Sequence, residues 1–431
     1  MEIKLRQVNS VSGIIEVPGD KSITHRSIMF SSLSEGSSVI RNYLLSNDCD
    51  RTITAFRKVG ARIRSDKNNL YIKGVGLKLI NPTGENYNIY AGNSGTTARL
   101  FSGIFSGQNF ETIITGDYSL SIRPMQRVID PLLEMGADIK SNGGLLPLVI
   151  NGRESLKAIN YKSEKSTAQV KSAVLLAGLY ADGPTTYSEP VKSRDHSERM
   201  LKIFGVNIDI KGNSVTIYPT DKLIAQDLTI PGDISSAAFF IAAALIVPNS
   251  NLTIKNVGIN PTRNALIEVL KQMGANITLI NTREVSHEPV CDIIIKYSRL
   301  KAVNIDASII PRMIDEIPIF TLISTQAEGV TKISGAEELK IKETDRIGVV
   351  VSQFKKLGVQ IEALEDGFLI DGRNEFALTG GAIVDSFKDH RMAMTLAVAS
   401  LIAKGETVIK NSDCVNISFP GFYRMLNSIC D

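Results

Sequence analysis

Val128-Ile129-Asp130-Pro131-Leu132-Leu133-Glu134-Met135-Gly136-Ala137-Asp138-Ile139 carries a helix, its stop and the start of a strand in one short stretch. Val128, Leu132, Leu133 and Met135 recur at helical spacing. Gly136 stands where a helix ends in a left-handed residue, a conformation that glycine adopts without a Cβ clash. The same five-residue signature (apolar, Gly, Ala or Val, any residue, Ile) returns as Val59-Gly60-Ala61-Arg62-Ile63, Phe204-Gly205-Val206-Asn207-Ile208, Met273-Gly274-Ala275-Asn276-Ile277 and Leu357-Gly358-Val359-Gln360-Ile361. A recurring unit at this scale dictates the fold before any single motif does.

A second pattern alternates with the first: a helix of small residues, a turn, then an alternating strand. It is read from Ser31, Phe101, Leu175, Ile241, Thr321 and Ala397. Each unit therefore predicts helix, strand, helix, hairpin, six times over. The sixth stops short within GFYRMLNSICD, and residues 2–17, with two strand-like runs and no helix before them, are expected to supply its hairpin. The punctuation Val17-Pro18-Gly19-Asp20 recurs as Ile230-Pro231-Gly232-Asp233, about half the chain away. It marks two crossovers between similar domains of three units each. One domain is expected over 20–232, the other over 1–19 plus 233–431, giving an α/β protein with a six-fold internal repeat.

With 431 residues, 43% hydrophobic and 22% charged, the chain can bury more than one core. Its net charge of +3 sets up no field that would draw it to nucleic acid or a membrane, so anion binding must rest on local clusters. Cys49, Cys291, Cys414 and Cys430 form no CxxC pair, which suits a reducing compartment. The N-terminus lacks an apolar signal core, and the run from Ala237 to Val247 is too short to span a bilayer. A cytoplasmic protein acting as a monomer is expected.

The clusters gather where helices begin. Asp20-Lys21-Ser22-Ile23-Thr24-His25-Arg26, Gly92-Asn93-Ser94-Gly95-Thr96-Thr97-Ala98-Arg99, Ser166-Thr167-Ala168-Gln169 and Asp389-His390-Arg391 each run into an apolar stretch. Helix starts leave backbone N–H groups free and carry positive dipole ends, which suits anionic ligands. Asp20, Asn93 and Ser94 read as ordinary caps. Lys21, Arg26, Arg346 and Arg391 do not, because a cation there loses roughly 0.3–1 kcal/mol to the dipole. Several such cations in related units point to anionic ligands, and Arg123 fits the scheme from a loop.

Lys342-Glu343-Thr344-Asp345-Arg346 reads either as a solvated turn or as part of the site. Asp315, in Pro311-Arg312-Met313-Ile314-Asp315-Glu316-Ile317-Pro318, is a carboxylate in an apolar helix start, with Glu316 an equal candidate for the inward position. Asp315 and Glu343 offer the pair of carboxylates that acid–base chemistry needs. His25, His196, His287 and His390 show no ligand spacing, so no metal is expected; GxSxG and GxxxxGK[ST] do not occur. His390 reads as a positioning residue.

In order along the chain, PGDKSITHR, GNSGTTARL, SLSIRPM, STAQVKSAVLLAGL, KETDR, DHRMAM and SFPGF resemble the 5-enolpyruvylshikimate-3-phosphate synthase branch of the enolpyruvyl transferases. The resemblance implies two domains of three βαβαββ units closing as an inside-out barrel over a cleft, with no cofactor. It implies transfer of the enolpyruvyl group of phosphoenolpyruvate to the 5-hydroxyl of shikimate 3-phosphate. On that resemblance Lys21, Ser22, Arg26, Thr167, Gln169, Asp315 and Lys342 hold shikimate 3-phosphate. Lys21, Gly95, Arg123, Gln169, Arg346 and Arg391 hold phosphoenolpyruvate. Asp315 is the base on the hydroxyl, while Glu343 and Lys21 handle the proton on the methylene carbon. The chain departs from the pattern at Ile417-Ser418, where many members carry a lysine, and at Thr167-Ala168, where some have two serines. Gly95 matches members open to glyphosate.

Two alternatives stand beside this reading. A transferase acting on UDP-N-acetylglucosamine typically carries a cysteine in the loop around Arg123, and residues 115–130 have none. A non-catalytic repeat protein binding RNA phosphates would want aromatic platforms, and only 6% of residues here are aromatic, without a tryptophan.

Overall fold

The computed structural model describes residues 1–81, 84, 86–372 and 378–431. The chain divides into two compact units, Gly19–Ile230 and Met1–Pro18 with Pro231–Asp431. The five signature glycines explain the common rhythm: Gly60, Gly136, Gly205, Gly274 and Gly358 all have φ between +79° and +99°. Each ends a helix where a side chain would be strained.

In Gly19–Ile230 the helices are α1 (Lys21–Ser32), α2 (Asn47–Lys58), α3 (Gly95–Ser106), α4 (Tyr118–Ser121), α5 (Gln126–Glu134), α6 (Ala168–Gly178) and α7 (His196–Ile203). Three four-stranded sheets go with them. In each, a central strand pairs in parallel with one neighbour and antiparallel with the second strand of a hairpin. Thus Glu111–Thr115 lies beside parallel Tyr87–Tyr90 and antiparallel Leu145–Asn151, with Asp138–Asn142 outermost. The two other sheets centre on Ser37–Arg41 and Thr185–Ser188. The small-residue helices are buried on nearly all sides, which explains their composition: a Cβ on Gly103 of α3 would lie 2.1 Å from the Ala173 carbonyl oxygen of α6. Ladders in which buried and exposed residues alternate, such as Tyr87–Tyr90, cover this core.

The other unit repeats the plan with α8 (Ile234–Ile246), α9 (Ala265–Gln272), α10 (Ile317–Ser324), α11 (Arg346–Lys356), α12 (His390–Ser400) and α13 (Phe422–Asn427). Here α8, α10 and α12 pack on one another in the core. The N-terminal strands behave differently from the hairpin expected of residues 2–17. Glu2–Arg6 joins the last sheet antiparallel to Glu406–Lys410, whereas Ser12–Glu16 pairs in parallel with Asn251–Gly258 in another sheet. The reason lies in the repeat. Every central strand has a parallel neighbour, and for Asn251–Gly258 the segment leading into the first Pro-Gly-Asp supplies it. Leu228–Thr229 does the same for Ser37–Arg41.

The two Pro-Gly-Asp turns have matching physics. A Cβ on Gly19 would meet the Asn42 carbonyl oxygen at 2.0 Å, and one on Gly232 would lie 2.9 Å from Val17 and 3.2 Å from the Asn256 carbonyl oxygen. Asn42 and Asn256 are both left-handed, at φ 56° and 58°. Asp20 and Asp233 then cap α1 and α8, accepting from the Ile23 and Ser235 amides. Among the described residues no helix is long and apolar enough to cross a membrane. No group of three or more His, Cys, Asp or Glu that could hold a metal ion occurs among them.

Candidate active site

In the unit Gly19–Ile230, α1 begins with Lys21, whose Nζ lies 3.1 Å from Asp48 Oδ2 in the first turn of α2. Ser22 follows, half-buried. Arg26 sits a turn further in than a helix-start cation and is buried. Its Nε donates to Ser197 Oγ and one terminal nitrogen to Ser172 Oγ, both at 2.7 Å, while the other donates to the Ser22 carbonyl.

Ser94 caps α3, and Gly95 is its first residue. A Cβ on Gly95 would lie 2.6 Å from Arg99 Nη1 and 3.8 Å from Arg123 Nη1, so two guanidinium groups converge over this backbone. Arg123 donates to Asn93 Oδ1 at 2.7 Å and to Ser119 Oγ at 3.0 Å. Arg99 donates to Gln169 Oε1 at 2.9 Å, and the Gln169 amide donates to Thr96 Oγ1 at 3.1 Å. Gly95, Arg123 and Gln169 are thus brought together, joined by an Arg99 to which the sequence had given no role. Thr167 holds the cap position of α6, but its hydroxyl makes no capping hydrogen bond.

Behind these groups, His25 Nδ1 is 2.8 Å from Thr52 Oγ1, which lies 2.9 Å from Thr97 Oγ1; Thr97 in turn reaches Ser94 Oγ at 2.8 Å. The chain ties α1, α2 and α3 together. Burial, then the Lys21 and Arg26 charges, holds the His25 ring neutral, with its pKa lowered to about 3. Beneath Thr167, Lys171 is buried between Glu189 (2.9 Å) and Glu198 (2.8 Å). Burial alone would lower its pKa, but the two carboxylates outweigh it and keep the ammonium charged.

In the other unit Asp345 caps α11, and Arg346 is the first helical residue, its side chain 1% exposed. Arg346 Nε donates to Asp389 Oδ2 at 2.8 Å, and one terminal nitrogen to Asp389 Oδ1 at 3.3 Å and Glu343 Oε2 at 2.6 Å. Its other terminal nitrogen is 3.8 Å from Asp315 Oδ1. Asp389 also caps α12, accepting from the Arg391 amide at 2.9 Å. The Arg391 guanidinium then stands 3.5 Å from Asp315 Oδ2. Asp315 therefore has one oxygen toward each arginine. Burial lowers the Lys342 pKa, an effect that the Asp315 charge opposes. For Arg346, burial would weaken the charge, but Asp389 and Glu343 more than offset it and raise the pKa.

Asp315, Lys342, Glu343, Arg346 and Arg391 thus form one cluster, and the KETDR segment belongs to it rather than to a solvated turn. Asp315 and Glu316 part company: Asp315 faces the arginines, whereas Glu316 is buried and accepts from Ser235 Oγ. His390 is buried at the start of α12. Ile417 ends a 3-10 turn over Ser412–Ile417 and packs on the core.

A family model described as EPSP synthase (3-phosphoshikimate 1-carboxyvinyltransferase) matches residues 5–426. The chain belongs to the EPSP synthase family. A 3-phosphoshikimate 1-carboxyvinyltransferase of Endomicrobium trichonymphae is 71% identical over 430 residues, covering 100% of both chains. One from Thermoanaerobacter sp. (strain X514) is 48% identical over 430 residues, again 100% of both. Among solved structures, EPSP synthase from Acinetobacter baumannii matches with a TM-score of 0.88 at 40% identity, over 100% of this chain and 98% of that one. The enolpyruvyl transferase NikO from Streptomyces tendae matches over 99% and 97% with a TM-score of 0.77 at 16% identity, a likeness of fold. The relatives carry the EPSP synthase name over their full length, so the nucleotide-sugar and RNA-binding alternatives lose their ground.

Proposed function

We propose that this member of the EPSP synthase family transfers the enolpyruvyl group of phosphoenolpyruvate to the 5-hydroxyl of shikimate 3-phosphate and releases phosphate. The observation that carries the assignment of roles is the Asp315 cluster. There a carboxylate stands among Arg346, Arg391 and Lys342, with Glu343 attached to the same guanidinium.

Lys21, Ser22, Arg26, Thr167, Gln169, Asp315 and Lys342 would hold shikimate 3-phosphate. Lys21, Gly95, Arg123, Gln169, Arg346 and Arg391 would hold phosphoenolpyruvate. Two phosphates and two carboxylates call for many cations, and guanidinium groups bind such oxygens in pairs. Protonation of the enol methylene by Glu343 or Lys21 leaves positive charge on the adjacent carbon. The 5-hydroxyl, losing its proton to Asp315, attacks that carbon. The tetrahedral adduct then loses a proton from the new methyl group and expels phosphate, which restores the vinyl ether.

Phosphate release from phosphoenolpyruvate, with EDTA present throughout, tests this. We expect release with shikimate 3-phosphate and none with UDP-N-acetylglucosamine. Release with the nucleotide sugar alone, or with neither acceptor, would refute the reading.

A further inference from the structure

Asp315 lies on a single 3-10 turn, Ile314–Glu316, which leads into α10. A residue on so short a turn is placed by whatever anchors its neighbours. On one side, Arg312 Nε donates to the Pro261 carbonyl at 2.9 Å, and a terminal nitrogen donates to Asn264 Oδ1 at 2.8 Å and Glu268 Oε1 at 2.6 Å. On the other side, Glu316 is buried and accepts from Ser235 Oγ, while Arg263 donates to that same hydroxyl at 2.5 Å. Arg263 is also 4.0 Å from Glu316 Oε1 and 3.4 Å from Asp233 Oδ1. One loop, residues 260–264, thus grips both flanks of the turn. It is itself braced by Asn260, which accepts from Thr262 and donates to Glu288.

The repeat shows what is unusual here. Ser235 stands two residues after the capping Asp233, as Ser22 stands two after Asp20. At α1 the residue after the cap is Lys21, and the proposed ligand of that helix start is the anionic shikimate 3-phosphate. At α8 it is Ile234, and a carboxylate of the chain itself takes the anion's place, where helix dipole, hydroxyl and guanidinium favour it. A buried carboxylate is costly without such partners, and its position is accordingly well defined.

We infer that Glu316 is a positioning residue for Asp315, an internal anion seated at the α8 start that fixes the turn presenting the base. The inference rests on the reading of Asp315 as that base. Ala at position 316 frees the turn, and a misplacement on the order of 1 Å can cost about 100-fold in rate. We expect Glu316→Ala to lower kcat by about 10- to 100-fold while KM for both substrates stays within about threefold. Glu316→Gln, which keeps an oxygen for Ser235, should recover kcat to within about threefold of the parent chain. In an Asp315→Asn background, followed by single turnover, Glu316→Ala should cost nothing more, because residues acting as a unit are not additive. Ser235→Ala serves as a second probe that leaves both carboxylates in place, and its loss should vanish in the same background. Equal losses with and without Asp315, or an unchanged kcat in Glu316→Ala, would overturn the inference. Full activity of Asp315→Asn alone would instead remove the base reading beneath it.

Discussion

Asp389→Asn is the substitution that loads most onto one contact. The wild-type carboxylate is fully buried, meets Arg346 through both oxygens, and caps α12 through the Arg391 amide. Asparagine caps a helix about as well as aspartate, so the capping contribution drops out. What is lost is one partner of a buried ion pair, which typically costs about 3–5 kcal/mol. Glu343 at 2.6 Å and Asp315 at 3.8 Å still face Arg346, which puts the expectation near the lower end, about 3 kcal/mol. For a unit of this size about 3 kcal/mol corresponds to a fall of roughly 6–12 °C in Tm. Arg346 then leans on Glu343 and Asp315, and KM for phosphoenolpyruvate should rise by about tenfold or more. Thermal melts and steady-state phosphate release, run on Asp389→Asn and Asp389→Ala together, read both effects. Asp389→Ala should melt lower still, by the lost cap of about 1 kcal/mol. A Tm within about 2 °C of the parent would refute the claim that Asp389 is the buried counter-charge of Arg346. A fall in Tm with unchanged KM would separate that anchor from substrate binding.

Gly95→Ala should raise KM for phosphoenolpyruvate and weaken inhibition by glyphosate, because the new methyl would stand 2.6 Å from Arg99 Nη1; the parent should be inhibited at millimolar glyphosate, and inhibition curves on both chains check this. His25 is held neutral down to about 3 against an ordinary 6.5, so between those values the unfolded chain takes up a proton that the fold refuses. Its contribution is therefore intact above pH 6.5 and fades as pH falls toward 3, by at most about 1.4 kcal/mol per pH unit. Denaturation midpoints at pH 7.5 and 5.5 should differ less in His25→Gln than in the parent, and identical slopes would show that the ring protonates in place.

Local chemistry was legible wherever the cause was local. The positive φ of Gly136 and its four counterparts follows from a helix that must stop and a strand that must start within three residues. The caps Asp20 and Ser94 follow from polar residues set before apolar runs, whereas Asn93, read in the same way, instead accepts from Arg123. The partners of the site cations were not legible in this way. Asp48, in Ser46-Asn47-Asp48-Cys49-Asp50, looks like any acidic first turn, and nothing near it in sequence says that Lys21 is its neighbour. Arg99 did carry a signal, since it closes the Gly92–Arg99 segment on the same helix start as Gly95. The strands Glu2–Arg6 and Ser12–Glu16 went to two sheets because pairing is decided by which central strand lacks a neighbour, a non-local condition. Asp315 and Glu316 were inseparable by sequence for a similar reason. Their directions depend on Arg391 and Ser235, each about eighty residues away.

The cations at helix starts call for a different account than the sequence suggested. Alone, each would oppose its helix dipole, which implied that ligands must offset the cost. The structure shows carboxylates already doing so: Asp48 for Lys21, Asp389 and Glu343 for Arg346, Asp315 for Arg391. Asp389, 0% exposed and bonded through both oxygens, is fixed, whereas Asp315 and Glu343 are partly open and hold the arginines through longer or single contacts. An arriving anion would therefore displace the open carboxylates from the guanidinium groups and leave the buried one in place. On the proposed roles, the contacts that would bind phosphoenolpyruvate are the ones that now hold Asp315 and Glu343, and Asp389, which would touch no substrate, sets where that exchange happens.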